Sequence, residues 1–493
     1  MAKKVLVVGA GPGGLTAGMI LASKGYEVEI FEKDARVGGR NQAIELGPFK
    51  FDTGPTFLML VDLMELAFRE AGRKSSDYLD LRRLDPLYRL RFHGKTDFFP
   101  RAHHDDMVAE IARVFPGDEK NYDRYFKSES AKYDVVGPCL EVPYDHIWQY
   151  LRPRLLRALP RLDAHLSVYD RIASYFKSED LRLSMTFQAK YLGMSPWKCP
   201  ATFTILPLIE HKWGVYHPIG GLNAISEAMA KVVREEKGTI HLSRPVKEVV
   251  VEGGRARGLV LADGERRDAD AVIVNADFAW AMSSLVKDDV RRKYRDSKLR
   301  RMEYSCSTFM LYLGLDKLYD IPHHNVVFAD DYHRNLREIS ETKVLSEDPS
   351  FYLQNACVTD PGLAPKGQSA LYVLAPVPNN TSGIEWEREK AGFRDRLLKA
   401  IERKTELSDL SKHIVAEKVV TPADWQGTYH CYNGATFNLA HTVDQMLYFR
   451  PHNRFDDFKR CYIVGGGTHP GSGLPTIYMS GKIAADLVRE DLA

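Results

Sequence analysis

Long hydrophobic runs, clustered cysteines and an excess of one charge are all missing from this sequence of 493 residues. No apolar stretch approaches membrane-spanning length, so we expect a protein that is soluble or lies on a membrane without crossing it. The six cysteines are far apart and form no C-x-x-C or Cys/His cluster, which argues against a metal site and favours a reducing compartment. A formal net charge of +2 gives no indication of a nucleic-acid partner.

Internal repeats and low-complexity stretches are also missing, so nothing marks a linker between domains in series. The first residues pass directly into an apolar strand and leave no room for a signal peptide, which predicts a cytoplasmic protein. With 44% hydrophobic residues the chain can bury large cores, and its length predicts two or three domains.

The first forty residues carry the clearest pattern. A β-branched apolar run from 3 to 8 leads into a G-x-G-x-x-G turn formed by Gly9, Gly11 and Gly14, then a helical segment and a second strand that ends at Glu32. Gly9 permits the tight turn, Gly11 lets a pyrophosphate approach the backbone, and Gly14 lets helix and strand pack closely. The helix N-terminus offers free N–H groups to phosphates, and Glu32 is placed to bind a ribose. Together these parts predict a dinucleotide site rather than a structural turn.

A second glycine-rich turn near the C-terminus repeats this logic. The short strand CYIV from 461 to 464 runs into GGGTHPGSGLP, which includes Gly465 and Gly466, and then into a helix predicted over 476–491. Such a turn places free N–H groups beside phosphate or ribityl oxygens. Between the two turns, a helix predicted over 222–236 and short strands between 239 and 275 return to the same αβ rhythm.

The remaining stretches read differently. Residues 60–212 are predicted to be mostly helical, and their most distinctive piece carries Leu151, Leu155, Leu159 and Leu162 between Arg152, Arg154, Arg157 and Arg161. Pro153 and Pro160 predict two short pieces that meet at an angle. A basic, apolar segment of this kind can lie on an anionic membrane surface, but an ordinary helix pair with a solvated basic face fits the pattern equally well.

These motifs resemble those of a known family. Gly38-Gly39-Arg40 after Glu32 resembles the flavoprotein amine oxidase superfamily, and GGGTHPGSGLP resembles the signature of bacterial-type phytoene (carotene) desaturases and carotenoid isomerases. The stretches EHKWGVYHPIGGLNAISEAM, HHNVVFADDY, DPGLAPKGQSALYVLAPVPN, TPADW and YFRPHNR match that family in the right order. The resemblance implies an α/β fold in which a discontinuous Rossmann-like FAD-binding domain is interleaved with an α+β substrate domain. The implied segments are 1–75, 214–304 and 457–493 for the first domain, and 76–213 and 305–456 for the second.

The resemblance also implies a cofactor, partners and site residues. FAD would contact Gly9, Gly11, Gly14, Glu32, Lys33, Gly39, Arg40, Gly54, Pro55, Val246, Gly465, Gly466, Pro475 and Ile477. The implied substrate is a long apolar polyene, such as phytoene or diapophytoene, taken from a membrane surface. The implied electron acceptor is oxygen or a quinone.

Formation of a C=C bond needs loss of a hydride to the flavin and of a proton to an acceptor. Candidate acceptors are Glu210, His217 and His469, with Asp52 and His211 in the same motifs, and each can instead be a hydrogen-bonded structural residue. Three activities therefore stay open at this point: a carotenoid desaturase, a carotenoid isomerase or terminal oxidase on the same fold, and an amine oxidase.

Overall fold

The computed structural model describes residues 2–493, apart from the side chain of Arg154. Its strands, numbered along the chain, are β1 (Lys4–Val8), β2 (Glu27–Phe31), β3 (Ala43–Leu46), β4 (Phe49–Asp52), β5 (Leu81–Arg83), β6 (Arg89–Arg91), β7 (Tyr216–Pro218), β8 (Thr239–His241), β9 (Val246–Glu252), β10 (Arg255–Leu261), β11 (Arg266–Asp268), β12 (Ala271–Val274), β13 (Ser307–Leu315), β14 (His324–Val327), β15 (Phe351–Asn355), β16 (Ser369–Val377), β17 (Ile414–Val420) and β18 (Cys461–Ile463).

The α-helices, numbered in the same way, are α1 (Pro12–Ser23), α2 (Val61–Glu70), α3 (His104–Val114), α4 (Glu119–Val136), α5 (Pro153–Ala158), α6 (Val168–Ala173), α7 (Glu179–Ser184), α8 (Ile205–Trp213), α9 (Asn223–Glu235), α10 (Phe278–Leu285), α11 (Asp296–Leu299), α12 (Tyr332–Arg337), α13 (Trp386–Lys404), α14 (Pro422–Gly427) and α15 (Leu474–Leu492).

A parallel sheet with the strand order β18-β12-β1-β2-β8 forms the first layer. Its strands β1 and β12 are apolar on both faces, apart from Lys4, because both faces are covered, as is usual for parallel sheets. Helices α1, α9 and α15 pack on one face, and α10 with the small antiparallel sheet β9–β11 packs on the other. The strands come from three distant parts of the chain, so the sheet closes only when all three are present.

A second, mostly antiparallel sheet has the order β17-β13-β16-β15-β14-β6, in which only the β14–β6 pair is parallel. Helix α13 covers one face with Phe393, Leu397 and Ile401. The other face receives Phe49 from the β3–β4 hairpin, and the close approach requires Gly314, since a Cβ there would lie 2.4 Å from the Phe49 ring. This contact fixes the six-stranded sheet directly against the β3–β4 hairpin, in the chain that leaves the first layer.

Residues 60–212 are mostly helical, as the sequence predicts, with short β5 and β6 added. The stretch from His146 to Arg161 holds a 3₁₀ turn (Ile147–Leu151), then α5, then a second 3₁₀ turn (Leu159–Arg161). Pro153 opens α5 in its first turn, where a missing N–H costs nothing. Of the four leucines in the sequence pattern, Leu155 is 1% exposed and packs inward, whereas Leu151 and Leu159 are exposed. Over residues 2–493, no helix combines the length and the apolar character needed to cross a membrane.

Candidate active site

The first glycine turn is folded tightly against Asn275, the residue that follows β12. The Asn275 amide donates to the Gly9 carbonyl at 3.1 Å, and a Cβ on Gly9 would lie 2.3 Å from the Asn275 carbonyl oxygen. Gly9 also has a φ of +89°, so both its space and its backbone exclude a side chain. In the part of the chain that the structure describes, no side chain caps the first turn of α1, which leaves that helix end open to a phosphate.

Glu32 lies at the end of β2 and is 4% exposed. Its carboxylate accepts the N–H of Ala10 at 2.7 Å and the N–H of Asp34 at 2.9 Å, which ties the strand end to the glycine turn. Burial raises the pKa of Glu32, while the two backbone donors act in the opposite direction. Each carboxylate oxygen keeps a further lone pair for a ribose hydroxyl. Lys33 points elsewhere and pairs with Asp34 at 2.7 Å.

Gly38-Gly39-Arg40 lies against the first turn. A Cβ on Gly39 would come within 3.7 Å of the Gly11 Cα, so the two glycine segments face each other. Arg40 donates from Nη1 to the carbonyl of Thr436 at 2.7 Å and so ties this loop to the chain that precedes β18. Gly54 adjoins the same loop, because a Cβ there would lie 2.9 Å from the Arg40 carbonyl oxygen, and Pro55 follows it.

The C-terminal turn approaches from the opposite side. Ile477 lies in the first turn of α15, after Pro475, and its side chain is so near α1 that a Cβ on Gly13 would lie 3.3 Å from it. A Cβ on Gly481 would lie 2.5 Å from the Gly13 carbonyl oxygen. The N-termini of α1 and α15 are therefore brought together, with Gly465 (φ +116°) and Gly466 beside them. Val246 starts β9, two residues beyond Arg244, whose N–H donates to the Glu32 carbonyl at 2.8 Å.

Arg450 supports the C-terminal turn from behind and was not assigned a role from the sequence. Its guanidinium is fully buried and donates to five backbone carbonyls, those of Leu439, Ala440, Gln445, Gly466 and Thr468. Burial lowers the pKa of Arg450 to about 9. The residue lies in the YFRPHNR stretch, but its partners are carbonyls, which no sequence pattern reveals.

The candidate proton acceptors lie in three separate environments. Glu210 is completely buried on α8, and its Oε2 accepts Tyr88 OH at 2.7 Å and Gln188 Nε2 at 2.9 Å. Oε1 makes no hydrogen bond of good geometry among the described residues, and the Tyr191 hydroxyl lies near enough to the carboxylate to lower its pKa. Burial raises the pKa of Glu210 to about 7. A buried carboxyl poised near neutral pH with a free oxygen has the properties of a general base.

The two histidines are held differently. His217 contacts Asp360 through Nε2 at 3.2 Å, and His469 contacts the Val142 carbonyl through Nε2 at 2.9 Å. Burial lowers the pKa of His469 to about 3, so it stays neutral. Within residues 2–493, no hydrogen bond or ion pair links His217 or His469 to Glu210. All three roles stay predictions, and the same holds for the individual FAD contacts and the domain boundaries.

Two helix N-termini, two glycine turns that exclude side chains and an acid at a strand end together suit the phosphates and ribose of a dinucleotide. The fold and the site therefore define a dinucleotide-binding protein. Residues 12–489 match the family described as flavin containing amine oxidoreductase, and the chain belongs to this family and, within it, to the carotene desaturases. This confirms the family, the fold class and the FAD cofactor predicted from the sequence.

Three similar proteins illustrate the assignment. A 4,4'-diapophytoene desaturase (4,4'-diapolycopene-forming) from Methylomonas sp is 48% identical over 99% of this chain and 95% of its own length. An all-trans-zeta-carotene desaturase from Myxococcus xanthus is 38% identical over 99% of this chain and 94% of its own. The crystal structure of an oxidoreductase from Methanosarcina mazei shares the fold, with a TM-score of 0.66 at 17% identity over 98% of this chain and 100% of its own.

Proposed function

We propose that this protein is a carotenoid desaturase that introduces C=C bonds into 4,4'-diapophytoene or a phytoene-like polyene. The observation that carries the proposal is the 48% identity to a diapophytoene desaturase across 99% of the chain, which includes every segment of the FAD cradle. Bound FAD supplies the hydride acceptor for this reaction. The chain's own residues must then orient the polyene, exclude water and take the proton.

Glu210 is the proposed proton acceptor. With FAD bound, one C–H bond of the polyene would lose a hydride to the cofactor, and Oε1 of Glu210 would take the proton from a C–H bond on the neighbouring carbon. The electron pair left by that proton would form the C=C bond. Tyr88 and Gln188 hold the other oxygen, so Oε1 is fixed in place. Phe57 joins this cluster to the Gly54 loop, because its ring lies 6.0 Å from that of Tyr88 and 5.4 Å from that of Tyr191.

Aromatic side chains pack together between the Gly54 loop and Glu210. Phe57 also stacks on His324 at 4.1 Å and lies 5.6 Å from the Tyr352 ring, so a continuous ring surface leads from the Gly54 loop towards Glu210. Apolar walls around few polar groups are typical of sites for long apolar ligands. His217 and His469, each tied to a protein acceptor, are assigned supporting roles in this scheme.

The substrate assignment predicts a preference that can be measured. Purified enzyme, reconstituted with FAD, is incubated with 4,4'-diapophytoene or phytoene in liposomes, and products are followed by mass and visible absorption. We expect each step to remove two hydrogen atoms, and kcat/KM to favour 4,4'-diapophytoene by about tenfold or more, since pocket length discriminates by roughly this much per unfilled or excess carbon. A product of unchanged mass would identify an isomerase instead, and turnover of amines alone would identify an amine oxidase.

We further propose that the protein docks on a membrane through an apolar patch formed by Ile147, Trp148, Leu151, Leu156 and Leu159. All five side chains are exposed, with Leu151 at 70% and Trp148 at 57%. Phe449 extends the patch, because its ring lies 6.2 Å from that of Tyr150. The inner side of the same segment is anchored by the buried Leu155 and Ala158.

Basic residues surround the patch in a way that suits anionic lipid. Arg157 and Arg161 are exposed, and Arg152 lies over the Trp148 ring at 5.7 Å. The fourth arginine of the sequence pattern, Arg154, lies outside the described side chains. Near an anionic surface each of these charges contributes about 1 kcal/mol, and the exposed rings and leucines add burial in the interface. A mouth at this surface would give the enzyme access to a substrate that resides in the bilayer.

Liposome sedimentation tests the docking surface. The double variant Trp148→Glu/Leu151→Glu is expected to lose most binding to anionic vesicles, and Arg152→Gln/Arg157→Gln/Arg161→Gln to bind them with a weaker salt dependence. Leu318→Glu is the matched control, since Leu318 is 44% exposed but lies far along the chain from the patch. If Trp148→Glu/Leu151→Glu sediments like the control, the patch is not the dock.

A further inference from the structure

Three tyrosines on adjacent strands of the six-stranded sheet reach the same loop, residues 53–56. Tyr312 on β13 donates to the Thr53 carbonyl at 2.5 Å, and Tyr372 on β16 donates to the Gly54 carbonyl at 2.7 Å. Tyr352 on β15 donates to Thr56 Oγ1 at 2.9 Å. The three rings also pack edge to face, at 5.6 Å between Tyr312 and Tyr372 and at 5.8 Å between Tyr352 and Tyr372.

Strand pairing explains why the three hydroxyls converge. Tyr312 and Tyr372 are directly opposite each other in the β13–β16 ladder, and Tyr372 is opposite Gln354 in the β15–β16 ladder, two residues beyond Tyr352. Side chains two residues apart share a face of a strand, so all three point to the face that receives the β3–β4 hairpin. Burial raises the pKa of each tyrosine well above 10, which keeps every hydroxyl a donor.

These hydrogen bonds determine which backbone groups of residues 53–56 face away from the six-stranded sheet. The Thr53–Gly54 peptide is trans, so holding the Thr53 carbonyl against the sheet turns the Gly54 N–H away from it. In the described part of the chain, no acceptor receives the Gly54 N–H. The next carbonyl, of Gly54, is likewise held to the sheet, and the residue after it is Pro55, which has no N–H. The free side of the loop therefore presents one donor and neither of these two carbonyl oxygens.

We propose that Tyr312, Tyr352 and Tyr372 are positioning residues that orient residues 53–56 so that the Gly54 N–H faces the bound flavin as a hydrogen-bond donor and raises its redox potential. The inference rests on the proposed function, since it takes the Gly54 loop to adjoin the flavin. A fixed donor stabilises the more negative, reduced ring over the oxidised ring, and turning the carbonyl oxygens away removes groups that would oppose it.

The arrangement also supplies coupling between the two layers. The tyrosines belong to the six-stranded sheet, whereas the loop continues directly from β4. Asp52, the last residue of β4, accepts the N–H of Leu222 at 2.6 Å, at the start of α9. His324 Nδ1 lies 2.6 Å from Tyr352 OH, so the hydrogen-bonded contacts continue from Thr56 through Tyr352 to His324 on the neighbouring strand β14. Movement of the sheet on polyene binding would therefore reach the donor that faces the flavin.

The test is the midpoint potential of the FAD-loaded protein, measured by dye-coupled reduction for Tyr312→Phe and Tyr372→Phe. The midpoint potential of each variant is expected to fall by about 30 mV. For a two-electron couple, this is about a tenfold loss of the preference for reduced over oxidised flavin. The control is Tyr319→Phe, which removes a buried tyrosine hydrogen bond to Asp409 just beyond β13 and is expected to leave the potential unchanged. If either variant does not fold, the same potential is measured for Tyr352→Phe. This change is easier for the fold to tolerate, because the hydroxyl of its partner Thr56 can rotate to another partner.

The outcomes separate the inference from the proposed function. A potential equal to that of wild type in folded, FAD-loaded Tyr312→Phe and Tyr372→Phe means that the tyrosines only stabilise the fold, and overturns the inference. A wild-type protein that binds no FAD would overturn the proposed function itself. A lowered potential in the variants, together with a wild-type protein that turns over no carotenoid, supports the role of the tyrosines and contradicts only the substrate assignment.

Discussion

Replacing Gly11 with valine is expected to give a folded protein that no longer retains FAD. Gly11 is the N-cap of α1, and its φ of −76° is one that valine can adopt, so backbone strain is not the cause. A Cβ would lie 2.8 Å from the side-chain amide nitrogen of Asn275, so this side chain or the first turn of α1 must shift at the predicted phosphate site. Losing two charge-assisted hydrogen bonds to phosphate costs about 3 kcal/mol, or about 100-fold in affinity.

The measurement is FAD affinity of the apoprotein, followed by flavin fluorescence, with circular dichroism to verify the fold. Gly392→Val is the matched control, because a side chain at Gly392 on α13 meets nothing within 4 Å. Gly14 is a poor choice for this purpose, since a Cβ there would lie 2.4 Å from the Gly9 carbonyl oxygen and would disturb the turn itself. Stoichiometric FAD in purified Gly11→Val would place the cofactor elsewhere.

Replacing Glu210 with glutamine is expected to reduce kcat by about 10²- to 10⁴-fold, the usual contribution of a general base. Glutamine keeps the shape and an oxygen that can accept from Tyr88, so substrate binding and FAD content should change little. In the wild type, Glu210 must be ionised to accept a proton. With its pKa raised to about 7 by burial, turnover should rise with pH up to about 7 and then level off.

Stability offers an independent check on this variant. Folding raises the pKa of Glu210 from 4.5 to about 7, so the carboxyl favours folding fully below pH 4.5 and loses that contribution as the pH rises through 7. Glutamine does not ionise, and Glu210→Gln should therefore be no less stable than wild type at pH 8. Glu65→Gln, an exposed change on α2, serves as the control. Unchanged turnover, or a pH profile identical to that of wild type, would assign the proton to another group.

The FAD-side elements follow from the sequence because their signals are local. The strand ending at Val8, the glycine turn and the helix after it are predicted from neighbouring residues, and the structure has that helix at Pro12–Ser23. A β-branched run buried on both faces and a glycine that must adopt a positive φ leave little alternative. The acid at Glu32 lies at the expected strand end for the same reason.

The six-stranded sheet and the 146–161 segment were less predictable, because their contacts are distant in sequence. Tyr312 and Tyr372 bind carbonyls 259 and 318 residues away, and no pattern around either tyrosine marks that partner. The leucine spacing from 151 to 162 left open which leucines are exposed, and Leu155 is buried while Leu151 is exposed, because prolines and 3₁₀ turns change the direction of the side chains. Arg450 was missed because backbone carbonyls are its only partners, and they carry no sequence signature.

The scattered origin of the parallel sheet has a consequence for synthesis on the ribosome. Strand β1 and helix α1 emerge first, but β18 and α15, whose Gly481 packs on the Gly13 carbonyl, are made last. At about 5–20 residues per second, roughly 20 to 90 s pass before α15 covers its side of α1, although α9 is made earlier and packs in the same core. Stable FAD loading therefore becomes a post-translational event, and ribosome-bound chains that lack residues 461–493 should need chaperones rather than cofactor to stay soluble.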